Sequence, residues 1–181
     1  MELPVLRGPR ITLRPLGEQD LDELAEIVAS PGVSDWWAWR PDEGGRSLRE
    51  ELRNDGAASA IEVGGALAGW LAVTEQSEPS YHHAALDIIL AAPYQDRGLG
   101  SEALRTAIDW LVRERGHHRF TIDPAAANAR AIRAYEAVGF RPVGVLRRYE
   151  RGPDGRWRDG LLMDLLAVEL RPYTARRTAD P

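Results

Sequence analysis

Gln95, Gly98 and Gly100 punctuate the run Gln95-Asp96-Arg97-Gly98-Leu99-Gly100, which joins an apolar stretch, Leu86-Asp87-Ile88-Ile89-Leu90, to a helical pattern beginning at Ser101. Glycines at such a junction let backbone come close to a ligand. The helix start adds N–H groups with no upstream carbonyl, reinforced by the positive end of the dipole. That chemistry suits a phosphate or pyrophosphate. Two ligand classes compete for it. Gly98-Leu99-Gly100-Ser101-Glu102-Ala103 fits the dinucleotide fingerprint G-x-G-x-x-A, and Asp123 lies at the spacing of a ribose-binding acid. A nicotinamide-dependent oxidoreductase would use them so. Against it, residues 91–97, with Pro93 among them, separate the strand from the first glycine, and Pro124 follows Asp123 directly.

Other residues offer chemistry of their own. Asn128 and Tyr135 are seven apart and share one face of a helix, as a cap and a half-buried tyrosine would also do. Asp87 stands in an apolar strand, where a carboxylate must be paired or face a ligand. Trp36 and Trp37, with Trp39 nearby, bring flat aromatic surface beside Asp35. The pairs His82-His83 and His117-His118 look like metal ligands, but neighbours in a strand face opposite ways, and 117–118 follow a helix-ending Gly116 as a surface turn would. No metal site is expected. Arg147, Arg148 and Arg151 read as a solvated strand face. With no cysteine and no G-x-S-x-G elbow, no covalent nucleophile is indicated, and Ser101 is misplaced for that role.

These residues must be carried by a definite series of elements. Residues 11–16 alternate as a strand, and 20–28 place apolar side chains at 21, 24, 27 and 28, a helical spacing. A short helix is expected over 47–54. Strands over 59–63 and 66–74 flank Gly64-Gly65, a two-residue hairpin signal. A strand over 83–90 follows, then a helix with its stripe at 104, 107, 108, 111 and 112, a short strand over 120–123, and a helix over 128–138 closed by Gly139. Residues 140–150 and 157–169 read as a last antiparallel pair. The fold class is mixed α/β, with helices on both faces of the sheet.

At 181 residues the chain has the length of one domain, with a core over about 10–170 and a loose tail over 171–181. No run reaches membrane-spanning length and no leader pattern opens the chain, so a cytoplasmic protein is expected. A net charge of −5 argues against nucleic acid and is compatible with cationic partners.

Q-x-x-G-x-G over Gln95 to Gly100, followed by Asp123-Pro124, Asn128, Arg130-Ala131-Ile132, Tyr135-Glu136 and Gly139-Phe140, closely resembles the GCN5-related N-acetyltransferases. The resemblance spans about residues 10–169. It implies a mostly antiparallel sheet that splays beside the strand end at Ile88, Ile89 and Leu90, whose backbone would pair with the pantetheine arm of acetyl-CoA. It assigns the pyrophosphate to Gln95, Asp96, Arg97, Gly98, Leu99, Gly100 and Ser101, and the coenzyme arm to Asn128 and Ala131. Tyr135 would sit at the thiol position and protonate the departing thiolate. Within the family, Ser34-Asp35-Trp36-Trp37, Asp87 and Asp123 resemble aminoglycoside 6′-N-acetyltransferases. That implies an acceptor site at Trp36, Trp37, Asp87 and Asp123, with Asp87 as base or ammonium partner. The expected activity is acetyl transfer from acetyl-CoA to a primary amine of a polycationic small molecule, by a monomer or homodimer, without metal. Protein N-termini and siderophore hydroxylamines are the other acceptor classes, and a non-catalytic acyl-CoA sensor is the alternative outside catalysis.

Overall fold

The computed structural model describes residues 3–37 and 57–171; Trp39, the expected helix over 47–54 and the tail beyond Arg171 lie outside them. The described elements are β1 (Leu6–Arg7), β2 (Thr12–Pro15), α1 (Leu21–Ala29), β3 (Ala57–Val63), β4 (Ala66–Gln76), β5 (His83–Leu90), α2 (Leu99–Arg115), β6 (Arg119–Ile122), α3 (Ala129–Val138), β7 (Arg141–Arg151) and β8 (Trp157–Leu166). They form one sheet in the order β1-β2-β3-β4-β5-β6-β8-β7. Every neighbouring pair is antiparallel except β5 and β6. This is not the parallel sheet of a dinucleotide fold, whose strands alternate with helices throughout.

The sheet is covered on both faces, and β4 shows why its sequence is so uniformly apolar. Leu71 and Val73 turn toward α2 and α3, where they join Leu104, Ile108, Leu111, Phe120 and Leu165. Trp70 and Ala72 turn the other way, onto Leu24, Ile27 and Val28 of α1. A strand buried on both sides needs apolar residues at successive positions, not alternate ones. The expected stripe of α2 is the buried one at 104, 107, 108 and 111. Gly64 and Gly65 both take positive φ (61° and 85°) in the β3–β4 turn, the requirement of a tight hairpin. Gly116 (φ 69°) ends α2 in the left-handed conformation.

Arginines donating to backbone carbonyls tie these elements together. Arg130 Nη2 reaches Gly32 O (3.0 Å), Arg158 Nη1 reaches Asp35 O (2.9 Å), and Arg105 bonds the carbonyls of Ala137 and Arg171. Each clip links segments far apart in sequence.

The histidines depart from expectation. His117 is buried at 1% exposure, not at a surface turn. Its Nε2–H donates to Glu75 Oε1 (2.7 Å), and the ring stacks on His82 with centroids 4.1 Å apart. Glu75, His82 and His117 each bring a ligand-type atom within 4.8 Å of the others. Arg115 also holds Glu75, at 3.2 and 3.3 Å, and the two rings stack. The cluster is an ion-paired plug between β4, β5 and α2. Burial pushes His117 below the ordinary imidazole range, against the opposing pull of Glu75. Burial works against the ionised Glu75, but the hydrogen bonds from Arg115 and His117 outweigh it and hold the carboxyl below its usual range.

Both shifts have the same sign for stability. The unfolded chain takes up protons that the folded chain refuses, so the contribution is complete above the free imidazole value of about 6.5 and is lost as pH falls. Thermal melting should therefore drop between pH 7 and pH 5. His117→Phe should melt lower at pH 7 yet show a flatter pH profile over that interval; parallel profiles would remove His117 from the acid response.

Candidate active site

The parallel pair β5–β6 lasts for only two residue pairs, Ala84 with Phe120 and Ala85 with Thr121. Beyond them the strands part. On its other edge β5 stays paired with β4 as far as Leu90, with Ala91 N–H donating to Ala68 O. A Cβ on Gly69 would overlap the Ile89 carbonyl oxygen, so that carbonyl also faces β4. Alternation along a strand then turns the backbone of Ile88 and Leu90 toward the parting. Ile88 N–H is engaged by Asp87 Oδ1 (2.9 Å), and Leu90 O accepts from Gln95 Nε2 (2.7 Å). The open hydrogen-bonding positions on this edge are thus Ile88 C=O and Leu90 N–H. Ile89 has its carbonyl turned to β4 and its side chain buried against α1.

A cavity of about 1010 Å³ opens at the parting. The start of α2 forms one wall. Asp96 (φ 57°) and Gly98 (φ 76°) both take left-handed backbone, and the first bond into the helix runs from Glu102 N–H to Gly98 O (3.0 Å). The N–H groups of Leu99, Gly100 and Ser101 precede that bond, which makes this turn a concave set of donors suited to an anion. Two side chains of the run serve other purposes. Gln95 braces the end of β5, and the Ser101 hydroxyl donates to Ala134 O (3.0 Å), joining α2 to α3.

The opposite wall comes from α3. Asn128 caps that helix, its Oδ1 accepting from Ala131 N–H (3.1 Å), so its amide nitrogen is the group left over from the cap. Tyr135 lies two turns on, also lines the cavity, and is 8% exposed against the ring of Phe140. Burial, helped by the charges of Asp87 and Asp123, raises its phenol well above the ordinary value. It therefore stays protonated at neutral pH.

The cavity lining is also acidic and aromatic. Asp87 and Asp123 belong to it, as do Trp36 and Trp37. Asp87 is exposed and lines the cavity. Trp37 meets Trp70 edge-on at 5.8 Å, and the Trp36–Trp37 segment is held from two sides by the Arg130 and Arg158 clips.

Two residues went unrecognised in the sequence. Between the pairs Leu146–Gly160 and Glu150–Arg158, β7 carries two residues more than β8. Arg148 takes φ 50° in this bulge, its N–H donating to Asp159 Oδ1 (2.8 Å). Beyond the bulge Tyr149 and Glu150 line the cavity. Tyr149 is pushed up to about 12, first by its hydrogen bond to Asp123 and then by burial. Glu150 is raised by burial and by the Asp123 charge, and its Oε1 is buried with no hydrogen-bond partner among the described residues. Arg151 also borders the cavity, while Arg147 and Arg148 lie on the exposed side of the hairpin. The only forward signal was Gly160, whose missing Cβ leaves room for the Tyr149 ring.

A gap between strands with free backbone edges, flanked by a helix start that suits an anion, is what a thioester with a nucleotide tail needs. Residues 10–141 match the acetyltransferase (GNAT) domain, and the chain belongs to that family. Such enzymes move acetyl from acetyl-CoA to an amine, and that is the activity class here. The spermidine N(1)-acetyltransferase of Vibrio cholerae is 28% identical over 163 residues, covering 87% of this chain and 93% of that protein. An aminoglycoside N(6′)-acetyltransferase type 1 of Klebsiella pneumoniae is 28% identical over 172 residues, covering 80% and 79%. RimJ of Mycobacterium smegmatis, solved in complex with CoA-disulfide, superposes with a TM-score of 0.77 at 24% identity, over 93% and 88% of the two chains.

Gly160→Val should drive a branched side chain into the Tyr149 ring, whose Cδ1 would stand 2.9 Å from even a single Cβ. The expected cost is about 1–3 kcal/mol of stability. Denaturant unfolding checks it, and an unchanged midpoint would mean that the ring moves aside freely.

Proposed function

We propose that the chain transfers acetyl from acetyl-CoA to the 6′-amine of an aminoglycoside or a related amino sugar. The observation that carries this reading is the convergence of Asp87, Asp123 and Glu150 with Trp36, Trp37 and Tyr149 on one cavity beside the parted strands. Carboxylates pair with ammonium groups and flat aromatic faces pack on sugar rings and cations. Three acids make a poor pocket for an anion and a good one for a polycation. The likeness to an aminoglycoside N(6′)-acetyltransferase supports the same acceptor.

In this reading the pyrophosphate lies on the N–H groups of residues 97–101, and the pantetheine arm pairs with Ile88 C=O and Leu90 N–H, with the Asn128 amide alongside. An alkyl ammonium titrates near ~10.4 and must lose a proton to become a nucleophile. Asp87, directly or through water, takes that proton. The amine nitrogen bonds to the thioester carbon, the C–S bond breaks with its electron pair passing to sulfur, and Tyr135 supplies a proton to the departing thiolate. The second proton on the nitrogen is lost as the amide forms, restoring the phenol directly or through water, while Asp87 returns its proton to solvent. Burial raises that phenol, so it carries its proton when acetyl-CoA is bound. Asp123, already accepting from Tyr149, binds the acceptor instead of reacting with it.

A linear polyamine is the second reading, favoured by the likeness to a spermidine N(1)-acetyltransferase. Acetyl-CoA consumption across aminoglycosides, polyamines and peptide N-termini separates the classes. Kanamycin-like acceptors should react at the 6′-amine, and analogues with a hydroxyl there should fail. Turnover confined to peptide N-termini would overturn both acceptor readings.

Three substitutions test the roles. Tyr135→Phe should lower kcat by about 10²–10⁴-fold with little change in acetyl-CoA affinity; near-normal turnover when chemistry limits the rate would leave Tyr135 a packing residue. Asp87→Asn should lower kcat more than it raises the acceptor KM if Asp87 is the base, and chiefly raise KM if it only pairs with ammonium. Asp123→Asn should raise the acceptor KM while the acetyl-CoA KM stays constant.

A further inference from the structure

Glu102 is the one acid in the first turn of α2, next to the N–H groups of residues 99–101, and it is 1% exposed. An ionised carboxylate there opposes any anion brought to the same turn. Its charge is answered from near the start of the chain. Arg10, in the turn between β1 and β2, donates to it twice, from its backbone N–H to Oε1 (2.6 Å) and from Nε to Oε2 (2.8 Å). The same guanidinium donates through Nη1 to the carbonyl of Arg97 (3.0 Å), and Nη2 would stand 3.5 Å from a Cβ on Gly98. Gly8 makes the approach possible, since a Cβ there would meet Glu102 Oε1 at 3.0 Å and Thr106 Oγ1 at 3.1 Å. The β1–β2 turn thus grips the glycine loop at the one acid of the first helical turn and at the carbonyl just ahead of Gly98.

We propose that Arg10 is a positioning residue for acetyl-CoA: it neutralises Glu102 and pins the Arg97 carbonyl away from the ligand, so that the loop presents only N–H groups to the pyrophosphate. This rests on the reading that residues 97–101 hold the pyrophosphate. A peptide left free at 97–98 could turn its carbonyl oxygen to the anion, and an unpaired Glu102 would add a full negative charge beside it. Both faults act on the nucleotide end of the donor and leave the thioester end alone. A residue that merely stabilised the fold would affect both ends together.

The test compares acetyl-CoA with acetyl-pantetheine, which carries the same thioester and no pyrophosphate, as donors to one amine. Arg10→Met should raise the acetyl-CoA KM at least tenfold and change kcat/KM for acetyl-pantetheine by less than twofold. Arg10→Met/Glu102→Gln leaves no unpaired buried charge, folds even if the single variant does not, and should show an intermediate KM. Calorimetry with CoA gives the same comparison without an acceptor. An unchanged acetyl-CoA KM in either folded variant overturns the proposal, as does an equal loss with both donors. Gly100→Val separates this from failure of the loop reading. It should abolish tight CoA binding in a folded protein; undiminished affinity would displace the pyrophosphate from the loop altogether, whereas a Gly100→Val defect without an Arg10→Met defect would sink only the role of Arg10.

Discussion

The site depends on the parting of β5 and β6. Two parallel strands that stay paired satisfy each other's backbone groups; here the pairing stops after Ala85 and Thr121. Ile88 and Leu90 then keep polar backbone groups facing a gap, and Asp87 and Asp123, one on each side, acquire a common space to look into. Buried backbone groups must find partners. The structure satisfies some of them locally, Ile88 N–H with Asp87 and Leu90 C=O with Gln95, and leaves the rest at an open cavity. The gap is therefore at once an interruption of the sheet and the place where a linear arm can complete it.

Keeping such a gap open requires that its walls be fixed from outside. The main core between the sheet and α2–α3 sets the back of the cavity, with Leu104, Ile108, Leu111, Phe120 and Leu165 fully buried. The second core under α1 holds Trp70 and, at its edge, Trp37. Members of both cores, Tyr135 from the first and Ile89 from the second, line the cavity. Polar links complete the walls: Arg130 and Arg158 onto the Trp36–Trp37 segment, and the zipper of Ala126 N–H to Asp159 O (2.8 Å) and Leu161 N–H to Pro124 O (2.8 Å), which draws the loop after β6 against β8.

Local signals in the sequence proved legible where one residue sufficed to state them. Gly64-Gly65, Gly116 and Gly139 mark their turns because the backbone there needs positive φ. The stripe of α2 was readable because its partners all lie on one side. What the sequence withheld were pairings between distant residues. His117 looked like part of a surface dipeptide, since nothing local says that Glu75 and His82 surround it. Tyr149 and Glu150 were missed because their direction is set by a bulge, and a bulge depends on the partner strand. Asp87 stands out as a carboxylate in an apolar strand, which leaves open whether it is paired or faces a ligand; its exposure at the cavity depends on where β6 parts from β5, and no local signal states that. Asn128 is both a helix cap and a cavity residue, so the mundane and the functional explanations of its position are not exclusive.

The arginine clips have a chemical corollary. All 23 basic residues counted as Lys or Arg in this chain are arginines. A lysine amine close to a bound thioester is itself an acceptor, for it releases its proton readily once desolvated. A guanidinium keeps its proton at any physiological pH and offers no lone pair for attack. Every cation that fastens the walls of this cavity, and every one that borders it, is thus inert toward the reagent the cavity holds, and the enzyme's own side chains leave the acyl donor to the guest amine.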